Sequence, residues 1–369
     1  MGNQFWSRRH FIRNLSLGAA ALSPALSAMA ARKDSHRKDK LGIALVGLGS
    51  YSTYQLAPAL LETKNCYLAG IVTGTPAKEQ AWAAKYNIPA KNSYNYRNFD
   101  SIASNDDIDI VYIVLPVSMH KEYTIRAAQA GKHVICEKPM ALNVTECEEM
   151  IAACKKADRM LSIGYRLHFE PYNQEMMRLG QQQVYGKLLE IDCANGFTYG
   201  PATDPNIWRL KKSMAGGGSL MDMGVYAVQG ARYTTGEEPV SVTAREEKTR
   251  HDLFREVDET IYFELQFPSG CTAKGISSYN KNLNHLKAKA ANGSFELSQA
   301  YRYGGMAGRT PAGPMNFPSI NQQAAQMDDF AACVQQQKQT RVPGEMGLKD
   351  MKVIEAIYRS IASGRKEKV

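Results

Sequence analysis

The chain has no Cys-x-x-Cys pair and no cysteine and histidine grouped at metal-ligand spacing, so no metal site is expected. Its seven cysteines, at 66, 136, 147, 154, 193, 271 and 333, are odd in number and read as core thiols rather than a disulfide framework. No apolar run is long enough to cross a bilayer: Leu15 to Ala28 offers only about 14 weakly apolar residues where about 20 are needed. Internal repeats and low-complexity segments are also absent. The net charge of +9 is not a property of the body, because six of those charges fall in residues 1–40. The remaining +3 leaves no clustered basic surface, which argues against a nucleic-acid partner.

What is present begins at the N-terminus. Ser7-Arg8-Arg9-His10-Phe11-Ile12-Arg13 precedes the apolar stretch and a small-residue exit, Ala28-Met29-Ala30, the layout of a twin-arginine export signal over residues 1–30. This predicts a periplasmic protein, exported folded, with no stable membrane insertion. Residues 31–40 read as a charged linker. The 369 residues, 44% hydrophobic and 22% charged, suffice for two ordinary domains.

From Leu41 to about residue 160, strands alternate with helices. Strands are predicted at 41–46, 67–72, 108–115 and 132–136, with helices after the first and over 76–86 and 119–130. Continuous aliphatic runs such as Ile108 to Leu115 belong to strands buried on both faces. The pattern predicts a doubly wound Rossmann-type α/β domain over 41–160. Over 161–369 the pattern shifts. Thr260 to Phe267 alternates cleanly, Pro268-Ser269-Gly270 turns it into a strand reaching Tyr279, and Asn292-Gly293 marks a further hairpin. An α+β domain with a large, mostly antiparallel sheet is expected there, closed by helices near 322–336 and 348–361.

Between the first strand and its helix stands Gly47-Leu48-Gly49-Ser50-Tyr51-Ser52. Gly47 permits a tight turn, Gly49 lets the backbone approach a pyrophosphate, and Ser50 and Tyr51 open the helix beneath it. NAD readers place a carboxylate at the end of the second strand to grip the ribose hydroxyls. Here no carboxylate occurs between Glu62 and Glu79. Thr73, Thr75 and Lys78 supply hydroxyls and a cation instead, which suit the 2′-phosphate of NADP.

Two further motifs carry chemistry. Glu137-Lys138-Pro139 closes a strand at the catalytic edge of the sheet, with Glu137 and Lys138 on the cofactor side of the site. Gly216-Gly217-Gly218-Ser219 opens a helix on which Asp222 and Tyr226, four residues apart, face the same way. With Gly164-Tyr165-Arg166 and the run from Trp208-Arg209-Leu210 to Gly236-Glu237-Glu238-Pro239, these motifs resemble the sugar oxidoreductase family typified by glucose-fructose oxidoreductase and inositol dehydrogenase. The similarity covers roughly residues 41–364. Most relatives have histidine where this chain has Tyr226, whereas the glucose-fructose branch has tyrosine.

The resemblance implies Tyr226 as general acid/base at a sugar hydroxyl, Lys138 as its electrostatic partner, and Asp222 as a hydrogen-bonding ligand of the sugar. Arg166, Trp208 and Arg209 are candidates for the pocket wall, while His120 and His168 read as structural hydrogen-bonders. It also implies a homo-oligomer, dimer or tetramer. The reaction expected is oxidation of an aldose at its anomeric carbon to the lactone, with hydride passing by bound NADP to a ketose. Simple NADP-linked aldose dehydrogenation is the alternative. An NAD-dependent glycosidase of the same fold would call for histidine-type motifs and an NAD-type carboxylate, and a non-catalytic sugar-binding protein would have lost the lysine or the tyrosine.

Overall fold

Six strands with both faces covered build the first layer of the computed structural model, which describes residues 38–369. The strands are β1 (Leu41–Val46), β2 (Cys66–Val72), β3 (Ser93–Tyr94), β4 (Ile110–Ile113), β5 (His133–Cys136) and β6 (Leu161–Ile163), in the order β3-β2-β1-β4-β5-β6. Every neighbouring pair is parallel. β1 and β4 are buried at every position, as their unbroken aliphatic sequences require. Strand order reverses between β1 and β4, so the crevice for a ligand opens at their carboxyl ends. The export signal expected over residues 1–30 falls outside the described residues.

After β1 the chain makes a π-helical turn, Ser52–Leu56, that runs into the short helix α1 (Ala57–Leu60). Helices α2 (Pro76–Tyr86), α3 (His120–Gln129) and α4 (Val144–Lys156) follow β2, β4 and β5. α4 starts where the Asn143 side chain accepts the Glu146 amide at 2.9 Å. The parallel sheet outlasts the 160/161 boundary read from the sequence, because β6 is its sixth strand.

Helix α5 (Pro171–Gln181) leads into a nine-stranded sheet. Its strands are β7 (Leu188–Thr198), β8 (Ser241–Glu247), β9 (Thr260–Gln266), β10 (Thr272–Ser278), β11 (Asn280–Ala290), β12 (Gly293–Ser298), β13 (Ala307–Thr310), β14 (Gly313–Pro314) and β15 (Glu367–Lys368). The order is β14-β13-β12-β11-β7-β10-β9-β8-β15, antiparallel except where β10 runs parallel to β7. The hairpin expected at Asn292-Gly293 joins β11 to β12, with Gly293 at φ +143. Short α6 (Lys212–Ala215) and longer α7 (Val225–Thr235) lie between β7 and β8, and α7 packs on β7.

The last two helices part company. α9 (Gly344–Ser363) packs against β8, whereas α8 (Gln322–Gln336) returns to the first layer. Its Ala324, Met327, Phe330 and Ala331 join one core cluster with Leu41, Ile43, Leu45, Ile71, Tyr112 and Ile135. The segment assigned to the second domain thus closes one face of the first sheet. Among the described residues no helix is long and apolar enough to cross a membrane.

Candidate active site

Gly47 leaves β1 at φ +94, a conformation that favours glycine, and a Cβ there would lie 2.4 Å from the Val114 carbonyl oxygen. The Ser52 hydroxyl donates to the Gly47 carbonyl at 2.6 Å and the Thr53 hydroxyl to that of Gly49 at 2.8 Å, which stiffens the loop. Gly49 differs from Gly47: a Cβ added there meets nothing within 4 Å. No packing of the protein itself calls for glycine at Gly49. A close-approaching pyrophosphate does, and the loop fits one. At the end of β2, Thr73 is buried and its hydroxyl oxygen accepts the Thr75 amide at 3.2 Å. The Lys78 ammonium donates to the Leu48 carbonyl at 3.0 Å, so this cation stands against the glycine loop. Tyr96 covers the same end of the cleft, packed so closely on Gly74 that a Cβ there would meet its ring at 2.9 Å.

At the end of β5, Glu137 is buried and accepts the Tyr112 hydroxyl at 2.7 Å. Gln326 of α8 donates in turn to that hydroxyl at 2.9 Å. Gly164 makes room for the carboxyl, since a Cβ there would stand 2.5 Å from its Oε1. Burial pushes the Glu137 carboxyl above its ordinary pKa, against the pull of Tyr112, Lys138 and Arg166. Glu137 therefore lines the cleft while its oxygens are taken up by the strand-end network. The Lys138–Pro139 bond is cis. His120 places one ring nitrogen 2.9 Å from the Leu115 carbonyl oxygen and the other 3.1 Å from that of Pro139, tying two strand ends together as expected. His168 instead packs between the rings of Tyr165 and Tyr233, and burial drives its pKa down to about 3.

Asp222 lies in a second π-helical turn, Leu220–Gly224, from which α7 continues with Tyr226. A continuous α-helix was expected here; the turn instead takes in an extra residue, a feature frequent at functional sites. Within it, main-chain carbonyls are turned to side-chain donors. Lys138 Nζ donates to the Asp222 carbonyl oxygen at 2.9 Å and approaches its Oδ1 at 3.3 Å, and Asn195 Nδ2 donates to the Met223 carbonyl at 3.3 Å. The same ammonium stands 4.6 Å from the centroid of the Tyr226 ring. Burial opposes the Lys138 charge, yet Tyr226, Asp222 and Glu137 outweigh it and hold the group above its usual pKa. For Asp222 burial acts upward, and Lys138, Arg209 and a hydrogen bond from Tyr279 overcome it to keep the carboxyl below its usual range. The Tyr279 hydroxyl donates to Oδ2 at 3.1 Å, with Arg209 Nε 3.6 Å away and its guanidinium over the Trp208 ring.

Arg166 is the second cation at Tyr226, its guanidinium carbon 5.3 Å from that ring centroid and 4.4 Å from that of Tyr303. Its terminal nitrogens donate to the carbonyls of Tyr301 at 2.5 Å and Arg302 at 3.0 Å and to the Gln322 side chain. Arg166 thus anchors the 301–303 segment, and only its buried Nε lacks a partner. Tyr303 stacks toward Tyr51, ring centroids 6.2 Å apart.

All the candidate residues border one cleft of about 1350 Å³. Gly47, Gly49, Ser50, Thr73, Thr75 and Lys78 line one end, Glu137, Lys138, Arg166, Trp208, Arg209, Asp222 and Tyr226 line the other, and Tyr51 reaches from the glycine loop to Tyr303 beside Arg166. This exceeds the few hundred to about 1000 Å³ common for one small ligand and suits a dinucleotide with a second small molecule. Sequence reading missed Asn195, Tyr279 and the 301–303 segment, which belong to the second sheet and its loops and carry no motif. Buried Asn195 stands out, because its Oδ1 faces no protein donor. Among the described residues no three histidine, cysteine or acidic side chains gather as a metal site.

Comparison with known proteins agrees with this architecture. The profile described as "Oxidoreductase family, NAD-binding Rossmann fold" (Gfo/Idh/MocA) matches residues 41–165, and that of the GFO/IDH/MocA C-terminal domain matches residues 173–297. D-xylose 1-dehydrogenase [NADP(+)] of Haloarcula marismortui is 28% identical over 331 residues, 86% of this chain and 90% of the relative. D-xylose 1-dehydrogenase (NADP(+)) 2 of Haloferax volcanii is 27% identical over 334 residues, 88% and 97% of the two chains. Among solved structures, aldose-aldose oxidoreductase from Caulobacter crescentus, complexed with glycerol, is 45% identical. It superposes with a TM-score of 0.87 over 89% of this chain and 100% of that one.

Proposed function

The chain belongs to the Gfo/Idh/MocA family of sugar oxidoreductases that use a nicotinamide cofactor, and from that premise we propose an NADP-dependent enzyme that oxidises an aldose at its anomeric carbon to the lactone. A second sugar, an aldose or a ketose, enters the same cleft and takes the hydride back. The observation that carries this reading is the Lys138 ammonium, bonded to Asp222 and 4.6 Å from the Tyr226 ring, in the cleft that starts at the glycine loop. Resemblance to an aldose-aldose oxidoreductase over nearly the whole chain supports a sugar on both sides of the reaction.

The chain's own groups divide the work. Thr73, Thr75 and Lys78 hold the 2′-phosphate, and the backbone at Gly47 and Gly49 receives the pyrophosphate. When bound, the nicotinamide supplies the hydride acceptor for the first sugar and the hydride donor for the second. Tyr226 Oη takes the proton of the anomeric hydroxyl as the C–H bond gives up its electron pair, and returns that proton to the carbonyl oxygen of the second sugar. Lys138 and Arg166 stand over the Tyr226 ring and place positive charge beside the oxygen that handles the proton. Asp222, kept ionised by Lys138 and Arg209, accepts hydrogen bonds from sugar hydroxyls. Trp208 offers an apolar wall.

Residues 1–30 direct the folded protein to the periplasm by the twin-arginine route, and the mature chains form a homo-oligomer. Outside the cytoplasm NADP is not resupplied, so regeneration in place makes the enzyme self-sufficient. The test is purification without added nucleotide, followed by an aldose and then a second sugar. Co-purified NADP that is reduced by the first sugar and reoxidised by the second bears out the proposal. If no nucleotide co-purifies and turnover requires free NADP, the enzyme is a simple aldose dehydrogenase, as the D-xylose 1-dehydrogenase relatives would have it.

A further inference from the structure

Asp258, two residues before β9, is 6% exposed, and its carboxylate is met by four donors. Oδ1 accepts the Gly218 amide at 2.7 Å and the Tyr358 hydroxyl at 2.7 Å. Oδ2 accepts the Leu220 amide at 2.8 Å and the Ser219 hydroxyl at 2.9 Å, and the Asp258 carbonyl accepts the Ser219 amide at 3.2 Å. Three consecutive residues, 218–220, are thus bound to a single side chain and its backbone. Bonds to an ionised acceptor are roughly twice as strong as neutral ones.

The glycine run exists to let this happen. A Cβ at Gly218 would stand 2.0 Å from the Asp258 carbonyl oxygen, and one at Gly217 2.0 Å from the Tyr358 hydroxyl. The π-helical turn begins at the clamped Leu220, and the Asp222 amide donates back to the Gly218 carbonyl at 3.2 Å. Asp222 then presents both its carbonyl and its carboxylate to Lys138. Whatever fixes residues 218–220 therefore fixes where the lysine finds its partners and where α7 starts toward Tyr226.

We infer that Asp258 is a positioning residue of this site, holding the 218–220 turn so that Asp222 and Tyr226 stand in register with Lys138. The inference rests on the roles given to those three residues under the proposed function. Asp258 touches neither sugar nor cofactor and acts through the turn. A carboxamide of the same shape cannot replace it, because its NH2 would face the Gly218 or the Leu220 amide, donor against donor.

The test is Asp258→Asn, with turnover counted per NADP-loaded site and repeated in an Asp222→Ala background. Wild-type oxidation of the aldose is the control that judges the proposed function separately. The expected result is a fall in kcat of about 10- to 100-fold, the scale of a misplaced catalytic group, with the NADP Kd within about twofold of wild type. That factor should shrink below about threefold once Asp222 is already alanine, because the two residues act in one chain of contacts. A purely structural clamp would lower the thermal midpoint and leave turnover per loaded site unchanged, or give the same factor in both backgrounds; either outcome overturns the inference. If Asp258→Asn does not fold, Tyr358→Phe keeps the carboxylate and its two amide bonds and removes only the phenol. It is expected to lower kcat per loaded site about two- to fivefold, the effect of one lost hydrogen bond, and an unchanged kcat overturns the inference equally.

Discussion

Replacing Lys138 with methionine keeps an unbranched side chain, one atom shorter, and removes its charge, which isolates what the ammonium does for Tyr226. Two unit charges 4.6 Å apart, the separation of Nζ from the ring centroid, interact by about 3.6 kcal/mol at an effective dielectric of about 20. Charge that gathers at the phenol oxygen lies away from the ring centre, and the Arg166 guanidinium at 5.3 Å remains to compensate, so about 2–3.5 kcal/mol is the fair range. At about 1.36 kcal/mol per tenfold, kcat/KM for aldose oxidation should fall about 30- to 300-fold, with NADP binding little changed. Asp222 adds to the loss, since Arg209 and Tyr279 still hold its charge beside the base. Lys138→Arg keeps the charge and should recover most of the rate. A methionine variant within about threefold of wild type in kcat/KM would refute the electrostatic role.

Tyr226→Phe removes the proton acceptor and should lower turnover about 10²–10⁴-fold at every pH, with NADP binding intact by fluorescence titration. Thr73→Asp places a carboxylate where the 2′-phosphate is held, and relative Kd values should then favour NAD over NADP. Wild type binding both equally would sink that assignment. Arg8→Lys with Arg9→Lys should retain the precursor in the cytoplasm, read by fractionation. Gly164→Ala forces a Cβ to 2.5 Å from Glu137 Oε1 and should cost about 1–3 kcal/mol of stability, seen as a lower thermal midpoint, because the carboxyl is held by Tyr112 and cannot step aside freely.

The first sheet was legible because strands covered on both faces must be apolar at every position, and β1 and β4 are. The domain boundary was less so, because β6 is only three residues long and α8 declares an apolar face without declaring which sheet it covers. β7 went unread for a different reason. It is the central strand of the second sheet, yet on the face that carries Ile191 and Cys193 it places Asn195 where alternation would ask for an apolar residue, since its far end runs beneath the cleft. Local pattern reports burial against protein, and a residue turned toward a ligand breaks that pattern.

The same distinction separates the parts of the site. Glycine-loop, lysine and tyrosine residues lie in contiguous motifs because each is delivered by one strand end or one helix start, and short spacing preserves that geometry. What holds them lies at long range: Asp258 stands 40 residues beyond the glycine it binds, and Arg166 is 136 residues from the Arg302 carbonyl it anchors. Arg166 also illustrates how a correct placement can carry a different emphasis. Its charge reaches Tyr226, as a pocket residue's should, but its terminal nitrogens are spent on the Tyr301 and Arg302 carbonyls and the Gln322 side chain, so its contribution to a sugar is the field it exerts. The glycine run at 216–218 is the clearest case. Read locally it opens a helix, whereas two of its three residues lack a side chain because the Asp258 main-chain carbonyl and the Tyr358 phenol occupy the space, and Asp258 and Tyr358 fix the turn on which the chemistry stands.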